Sequence, residues 1–223
     1  MKVHFICGYY SDLAHKKKRR PEPYWDALNY VWAVKTGEYR HKFFAHHRNA
    51  TKVLMTPSNI GDARKWFGDF ISYSVKQHEE GDDIYVVPIP SKDGLPSTDI
   101  YRSLKMVQDS LKGRKENYRV LDACRWKEQL AKAHEGGGRG RQFIKERLQL
   151  KTDVKGKSIV LVDDLISTGS SMLAVRDLLE ESGAKVICGV TCGKTVYNFK
   201  FAPFGRQSFD FDEEIHEYQP DEE

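Results

Sequence analysis

The stretch Ile159-Val160-Leu161-Val162-Asp163-Asp164-Leu165-Ile166-Ser167-Thr168-Gly169-Ser170-Ser171 decides the fold. It opens on an uninterrupted apolar run, three of whose four residues are β-branched, the pattern of a strand buried on both faces. Two carboxylates follow, then small hydroxyl residues around a glycine, and then a helical pattern reaching about residue 182 and closed by Gly183. Reading outward, residues 185–191 form a further apolar strand. Upstream, residues 84–89 and 118–123 read as strands separated by a helix over residues 99–111. Strands apolar at every position, alternating with helices, predict an α/β fold: a parallel β-sheet core with helices on both faces.

In such sheets ligands collect at the carboxyl ends of the strands, which is where Asp163 and Asp164 fall. The first backbone N–H groups of a helix have no intrahelical partner and make an anion site. Gly169 lets the backbone approach an anion closely, and Ser167, Thr168 and Ser171 supply hydroxyl donors. Two carboxylates repel a phosphate but accept hydrogen bonds from vicinal hydroxyls. Acids ahead of an anion cradle therefore point to a sugar phosphate. The bland alternative is a strand-turn-helix with a chance Asp-Asp pair.

Upstream, residues 2–9 read as a strand rather than a signal peptide. Lys16-Lys17-Lys18-Arg19-Arg20 ends at Pro21-Glu22-Pro23 and reads as a basic loop. Helices are expected over residues 24–36, closed by Gly37, and over residues 61–77, capped by Ser58 or Asn59, with a short strand over residues 52–55 between them. The expected organisation is an N-terminal hood over residues 1–80, a core over 81–207, and a flexible acidic tail over 208–223. Residues 14–52 carry ten Lys/Arg against three Asp/Glu, and residues 208–223 carry eight acidic residues and no Lys/Arg, so charge is split between the front and the tail. With 39% hydrophobic and 30% charged residues, and no apolar run near the roughly 20 residues that span a bilayer, a cytoplasmic protein without a membrane partner is expected. Cys7, Cys124, Cys188 and Cys192 show no zinc-site spacing and read as packed, reduced thiols; the histidines likewise read as packing or surface groups. The basic run could touch nucleic acid or a phosphorylated ligand, its alternative being a solvated loop. Tyr24, Trp25 and Trp32 could stack on a base, although at helical spacing they read first as core.

Residues 159–171 resemble, at every position, the phosphoribosyl pyrophosphate signature of type I phosphoribosyltransferases. The resemblance extends over residues 84–195, and through Val87-Pro88-Ile89-Pro90, Arg125, Gln129 and Arg147 it is nearest to competence-protein-F-like members. It implies that Asp163 and Asp164 hold the ribose hydroxyls, and that Leu165, Ile166, Ser167, Thr168, Gly169, Ser170 and Ser171 complete the ribose-phosphate site. It implies that Ser91, Lys92, Asp93 and Gly94 form the pyrophosphate loop. Asp93 stands where many members carry glycine, and a carboxylate beside pyrophosphate is unfavourable unless Mg²⁺ lies between them. Residues 132–147, with Arg139, Arg141 and Lys145, match the family's closing catalytic loop; the alternative is a charged hairpin without a role. Lys194 falls where purine-salvage relatives contact the base.

The resemblance thus implies an enzyme that transfers the phosphoribosyl group to a nitrogen acceptor and releases pyrophosphate. Its catalytic residues would be Asp163, Asp164, Lys92 and Arg139. Mg²⁺ would be the cofactor, held by ligand oxygens rather than directly by side chains, and the assembly a homodimer. The competing expectation is a non-salvage member that binds phosphoribosyl pyrophosphate or a nucleotide and acts as a regulator or effector, as in bacterial antiviral retron defence. A third is a nucleic-acid-binding module that keeps only the fold.

Overall fold

A computed structural model describes residues 1–47, 51–78, 83–114, 118–129 and 140–215. In chain order the elements are β1 (Lys2–Tyr10), α1 (Asp12–Lys17), α2 (Glu22–Thr36), β2 (Phe43–His47), β3 (Thr51–Met55) and α3 (Asp62–Lys76). Then come β4 (Ile84–Pro88), α4 (Arg102–Leu111), β5 (Tyr118–Val120), β6 (Cys124–Trp126), α5 (Arg141–Glu146) and β7 (Leu148–Leu150). The chain continues through β8 (Ser158–Ile166), α6 (Ser170–Glu181), β9 (Lys185–Val196) and β10 (Gln207–Asp210).

Six strands form the main sheet in the order β10-β1-β9-β8-β4-β5. β1, β9, β8, β4 and β5 run parallel, and only the edge strand β10 is antiparallel. The apolar run of β8 accounts for its central place. Val160 and Val162 are fully buried in a core shared with α2, α3 and α4. Ile159 and Leu161, on the opposite face, are equally buried against Met172 and Leu173 of α6. Successive side chains of a strand point to opposite faces, so helices on both faces remove every one of these residues from water, as the uninterrupted apolar pattern requires.

Local chemistry sets the helix ends. Gly37 closes α2 in the left-handed conformation (φ 77°), its N–H donating to Ala33 O at 2.8 Å. Asn59 does not cap α3. It organises the preceding turn, accepting from Thr56 N at 2.7 Å and donating to Leu54 O at 3.0 Å, and Gly61 takes the cap position without a side-chain bond. The four cysteines are buried and free.

The structure differs from the expected division at both ends. β1 does not belong to a separate hood: it lies inside the main sheet, paired in parallel with β9 from Lys2↔Cys188 to Tyr10↔Val196. The tail does not begin at residue 208, because residues 207–210 pair with β1 and Phe211 is 2% exposed. Phe209 explains the docking, packing edge-to-face on Phe5 and Phe211. The basic run is not simply a solvated loop either. Lys16 and Lys17 lie in α1, and Arg20 is buried under Trp25, donating to Tyr10 O at 3.0 and 2.7 Å and to Asp12 at 2.6 Å. Among the described residues no helix is long and apolar enough to cross a membrane.

Candidate ribose-phosphate site

β8 carries Asp163 and Asp164 at its carboxyl end, and four residues later α6 begins. Gly169, which has no side chain to offer as a cap, is the N-cap of α6 at φ 79°. Of the first-turn amides, Ser170 N–H reaches Thr168 Oγ1 at a long 3.4 Å, and the N-cap glycine has no side chain to satisfy the others, the condition for an anion site. Ser167 and Thr168 are exposed on the turn. Ser167 Oγ lies 2.7 Å from Thr195 Oγ1, and Thr168 Oγ1 lies 2.8 Å from Ser170 Oγ, so the hydroxyls are held in place by each other and by β9. Gly169 is required twice over: its φ is one that side-chain-bearing residues rarely adopt, and a Cβ there would overlap the ring of Phe211. Ile215 N–H donates to Thr168 O at 2.9 Å, so the segment after β10 braces the turn from below.

The acids are not equivalent. Asp164 forms an ion pair with Lys35 of α2. Asp163 Oδ1 accepts from the Asp164 N–H at 2.8 Å. Burial, and then the charge of Asp164, push the Asp163 carboxyl well above the usual carboxylate range, with Lys35 pulling the other way. Two neighbouring acids in a half-buried site thus carry a burial and repulsion cost that a cation or a hydroxyl-rich ligand can relieve.

β4 lies beside β8, Pro88 opposite Val162, so the loop at residues 91–94 emerges next to the acid pair at the same end of the sheet. Gly94 N–H donates to Ser91 O at 2.7 Å, and Trp126 Nε1 reaches the carbonyls of Pro90 and Ser91 at 3.1 and 3.0 Å. Lys92 is exposed on this turn. Asp93 accepts from Ser91 Oγ at 2.5 Å and from the Arg102 N–H at 2.9 Å, so its carboxylate closes the first turn of α4. Arg125, 1% exposed, binds the carbonyls of Leu95, Thr98 and Asp99 and the Asp122 carboxylate, fixing the remainder of the loop.

Other expected contributors are placed differently. Arg139 lies outside the described residues, as do residues 130–138. Arg141 and Lys145 do not belong to a mobile loop: they lie on α5 and pair with Asp177 and Glu181 of α6. Lys194 is 4% exposed and lies over the rings of Phe209 and Phe201 at 5.0 and 5.5 Å, away from the cleft described next.

A cleft of about 520 Å³ opens beside Asp164, lined by Trp25, Trp32 and Lys35 of α2 with Tyr9, Arg20 and Arg40. This lies within the roughly 300–1,000 Å³ typical of small-molecule sites. Tyr24 is core, as its helical spacing suggested, but Trp25 and Trp32 are 40% and 36% exposed and face the cleft. Arg20 lies 4.3 Å over Trp25 and Arg40 5.0 Å over Trp32, giving two cation–π pairs on its walls. No local sequence pattern signals that Lys35 or these pairs face Asp164.

Residues 124–200 match the family model described as phosphoribosyl transferase domain. An adenine phosphoribosyltransferase from Treponema denticola is 58% identical over 43 residues, 18% of this chain and 23% of that protein. A ribose-phosphate pyrophosphokinase from Thermococcus kodakarensis is 54% identical over 35 residues, 16% of this chain and 12% of that protein. The chain thus spans less than a quarter of the length of either curated relative. Among solved structures, that of an adenine phosphoribosyltransferase is similar at 14% identity with a TM-score of 0.42, covering 75% of this chain and 91% of that one. The strand, acid pair and phosphate turn described above all fall inside the segment that is similar to the phosphoribosyl transferase domain.

Proposed function

We propose that this protein binds phosphoribosyl pyrophosphate and transfers its phosphoribosyl group to a nitrogen acceptor, releasing pyrophosphate. The carrying observation is the Asp163–Asp164 pair at the end of β8, one short turn ahead of the α6 terminus whose N-cap is a glycine. The 5′-phosphate would take the first-turn amides with Ser167, Thr168 and Ser171. The ribose hydroxyls would donate to the acids, and the pyrophosphate would lie toward Ser91 and Lys92. The acceptor would enter the aromatic cleft between Trp25 and Trp32, where a planar nitrogen heterocycle matches the exposed ring faces.

In the reaction the C1′–O bond to pyrophosphate breaks and a C1′–N bond forms, the nitrogen's proton leaving to solvent. Positive charge develops on the ribose ring, as in glycoside cleavage. The chain's contribution is positional and electrostatic: the acids beside the ring favour that charge, and the phosphate turn fixes the sugar against the acceptor. Mg²⁺ fits this site by the chemistry of its donors, two adjacent carboxyls at the end of β8 with the single ammonium of Lys35 beside them. Bound with the ligand's oxygens, it would neutralise charge on the leaving pyrophosphate. Asp93, turned toward α4, presents less of the repulsion that its sequence position suggests.

A second reading rests on the same acid pair and phosphate turn. In it the domain binds phosphoribosyl pyrophosphate or a nucleotide as a regulator or effector, retron defence being one setting. Calorimetry with phosphoribosyl pyrophosphate and Mg²⁺, with Asp163→Asn/Asp164→Asn as control, tests binding. Pyrophosphate release with a panel of nucleobases then separates the two readings. Wild-type protein that binds no better than the double variant would sink both.

A further inference from the structure

At the opposite end of the sheet from the phosphate turn, three side chains from distant parts of the chain converge. His4 is near the start of β1, Cys188 is near the start of β9 and pairs across the sheet with Lys2, and His78 lies just beyond the end of α3. Cys188 precedes Lys194, at the phosphate-turn end of β9, by six residues, roughly 20 Å of strand, so this cluster is separate from the phosphoribosyl site. The Nε2 atoms of His4 and His78 face one another at 2.8 Å, with the rings at 76°. One ring nitrogen of each imidazole and the Cys188 sulfur all lie within 4.8 Å of one another. His4 is 7% exposed and Cys188 is fully buried. An open cavity of about 250 Å³, lined by Gln77, Gln207, Lys2 and Arg206 among others, reaches His4 and His78 from solvent.

We propose that His4, His78 and Cys188 form a binding site for a zinc-class divalent cation. Two imidazoles and a thiolate are the borderline-soft donors such ions select over carboxylate-rich sites. In a tetrahedral complex with bonds of about 2.0–2.1 Å to nitrogen and 2.3 Å to sulfur, neighbouring donors stand roughly 3.3–3.6 Å apart. The nitrogen pair therefore opens by about half an ångström and the sulfur approaches by at most about an ångström, changes of the size that side-chain torsions supply. The cation replaces the thiol proton, which leaves to solvent, and the fourth position faces the cavity. Lys2 and Arg206 line that cavity, so water, hydroxide or chloride occupies the fourth position rather than a second cation-bearing group. The bound ion would tie β1 and β9 to the helical layer that supplies Lys35 to the other end of the sheet. The separation of these ligands along the chain leaves no motif for a spacing search.

The test is titration of the purified, chelator-treated full chain with Co²⁺, followed by Zn²⁺. One equivalent of Co²⁺ is expected to give a thiolate-to-cobalt charge-transfer band with tetrahedral ligand-field absorption, both lost on adding Zn²⁺. Cys188→Ser is expected to abolish the charge-transfer band. His78→Gln, at a half-exposed position, is expected to weaken Zn²⁺ binding on the order of 10-fold or more and to cancel the Zn²⁺-dependent rise in Tm. Circular dichroism on His78→Gln establishes that this variant is folded, so the result stands even where Cys188→Ser does not fold. Folded wild-type protein without the thiolate band, or Zn²⁺ affinity unchanged in His78→Gln, overturns the proposal. Neither outcome depends on phosphoribosyl pyrophosphate.

Discussion

The ammonium of Lys35, on α2, pairs with the carboxylate of Asp164 at the end of β8. The link places an N-terminal helix inside the electrostatics of the candidate ribose-phosphate site. Lys35 is also the positive charge that offsets burial and Asp164 in setting the Asp163 carboxyl. With Lys35→Gln the Asp163 carboxyl moves further up and the site loses a cation beside an anionic ligand. Affinity for phosphoribosyl pyrophosphate is expected to fall about 10-fold, or ~1.4 kcal/mol. Calorimetry checks it, and equal affinity in wild type and variant would show that Lys35 plays no part in binding.

Asp163 illustrates a site that costs stability. Its folded pKa is raised above the ordinary carboxylate value near 3.9. Above that value the unfolded chain releases a proton that the folded chain retains, so stability falls as pH rises toward the folded pKa. Asp163→Asn keeps an oxygen to accept the Asp164 N–H but does not titrate. The variant is expected to melt higher than wild type at neutral pH, the gap closing as pH drops below roughly 4. It is also expected to lose about 10- to 100-fold in phosphoribosyl pyrophosphate affinity, the worth of a hydrogen bond to a charged group. A Tm unchanged or lowered across this range would contradict the assignment of a destabilised carboxyl.

Much of the architecture is legible locally. The uninterrupted apolar run of Ile159 to Val162 dictates a strand covered on both faces, and Gly37 and Gly183 punctuate their helices because only glycine takes those positive φ values cheaply. The acids and the phosphate turn are consecutive residues, so their juxtaposition follows from chain geometry alone. What was not legible depends on pairing between distant segments. Nothing in residues 2–10 states that they pair with β9 rather than cover the core. Gln207–Asp210 is a four-residue edge strand whose half-exposed pattern looks like polar tail until Phe209 is seen against Phe5. Arg141 and Lys145 read as free cations because Asp177 and Glu181 occupy a helix more than thirty residues away.

Gly169 is the point where two such distant segments meet, since the Phe211 ring occupies the space a Cβ would need. Gly169→Ala incurs about 1–2 kcal/mol for the left-handed backbone and a further ~1–3 kcal/mol for displacing a packed ring. Denaturant unfolding is expected to show a loss in the sum of those ranges, with phosphoribosyl pyrophosphate binding abolished because the turn cannot keep its shape. In Gly169→Ala/Phe211→Ala the overlap is gone but the backbone strain stays. If the double variant were no better at binding than the single one, Phe211 would have no role in shaping the turn.

Asp93 sits against the start of α4, in the loop that follows β4. Burial alone would raise its carboxyl, but the hydrogen bonds from Ser91 and the Arg102 amide outweigh it, and the net shift is downward. A lowered folded pKa contributes stability above the unfolded value and loses it as pH falls through the folded one. Asp93→Ala removes the bond to the start of α4 and is expected to destabilise by about 1 kcal/mol, with the difference shrinking on the acid side of roughly pH 4. Asp93→Asn keeps an acceptor oxygen and removes only the charge, so it isolates the electrostatic question. Because the carboxylate is directed at α4, its field at the pyrophosphate position is weakened, and Asp93→Asn is expected to change affinity less than about threefold, under ~0.7 kcal/mol. Calorimetry at matched ionic strength measures this directly. A gain of tenfold or more would mean that the carboxylate swings out of its cap toward the ligand, and that the loop is built to weaken pyrophosphate binding.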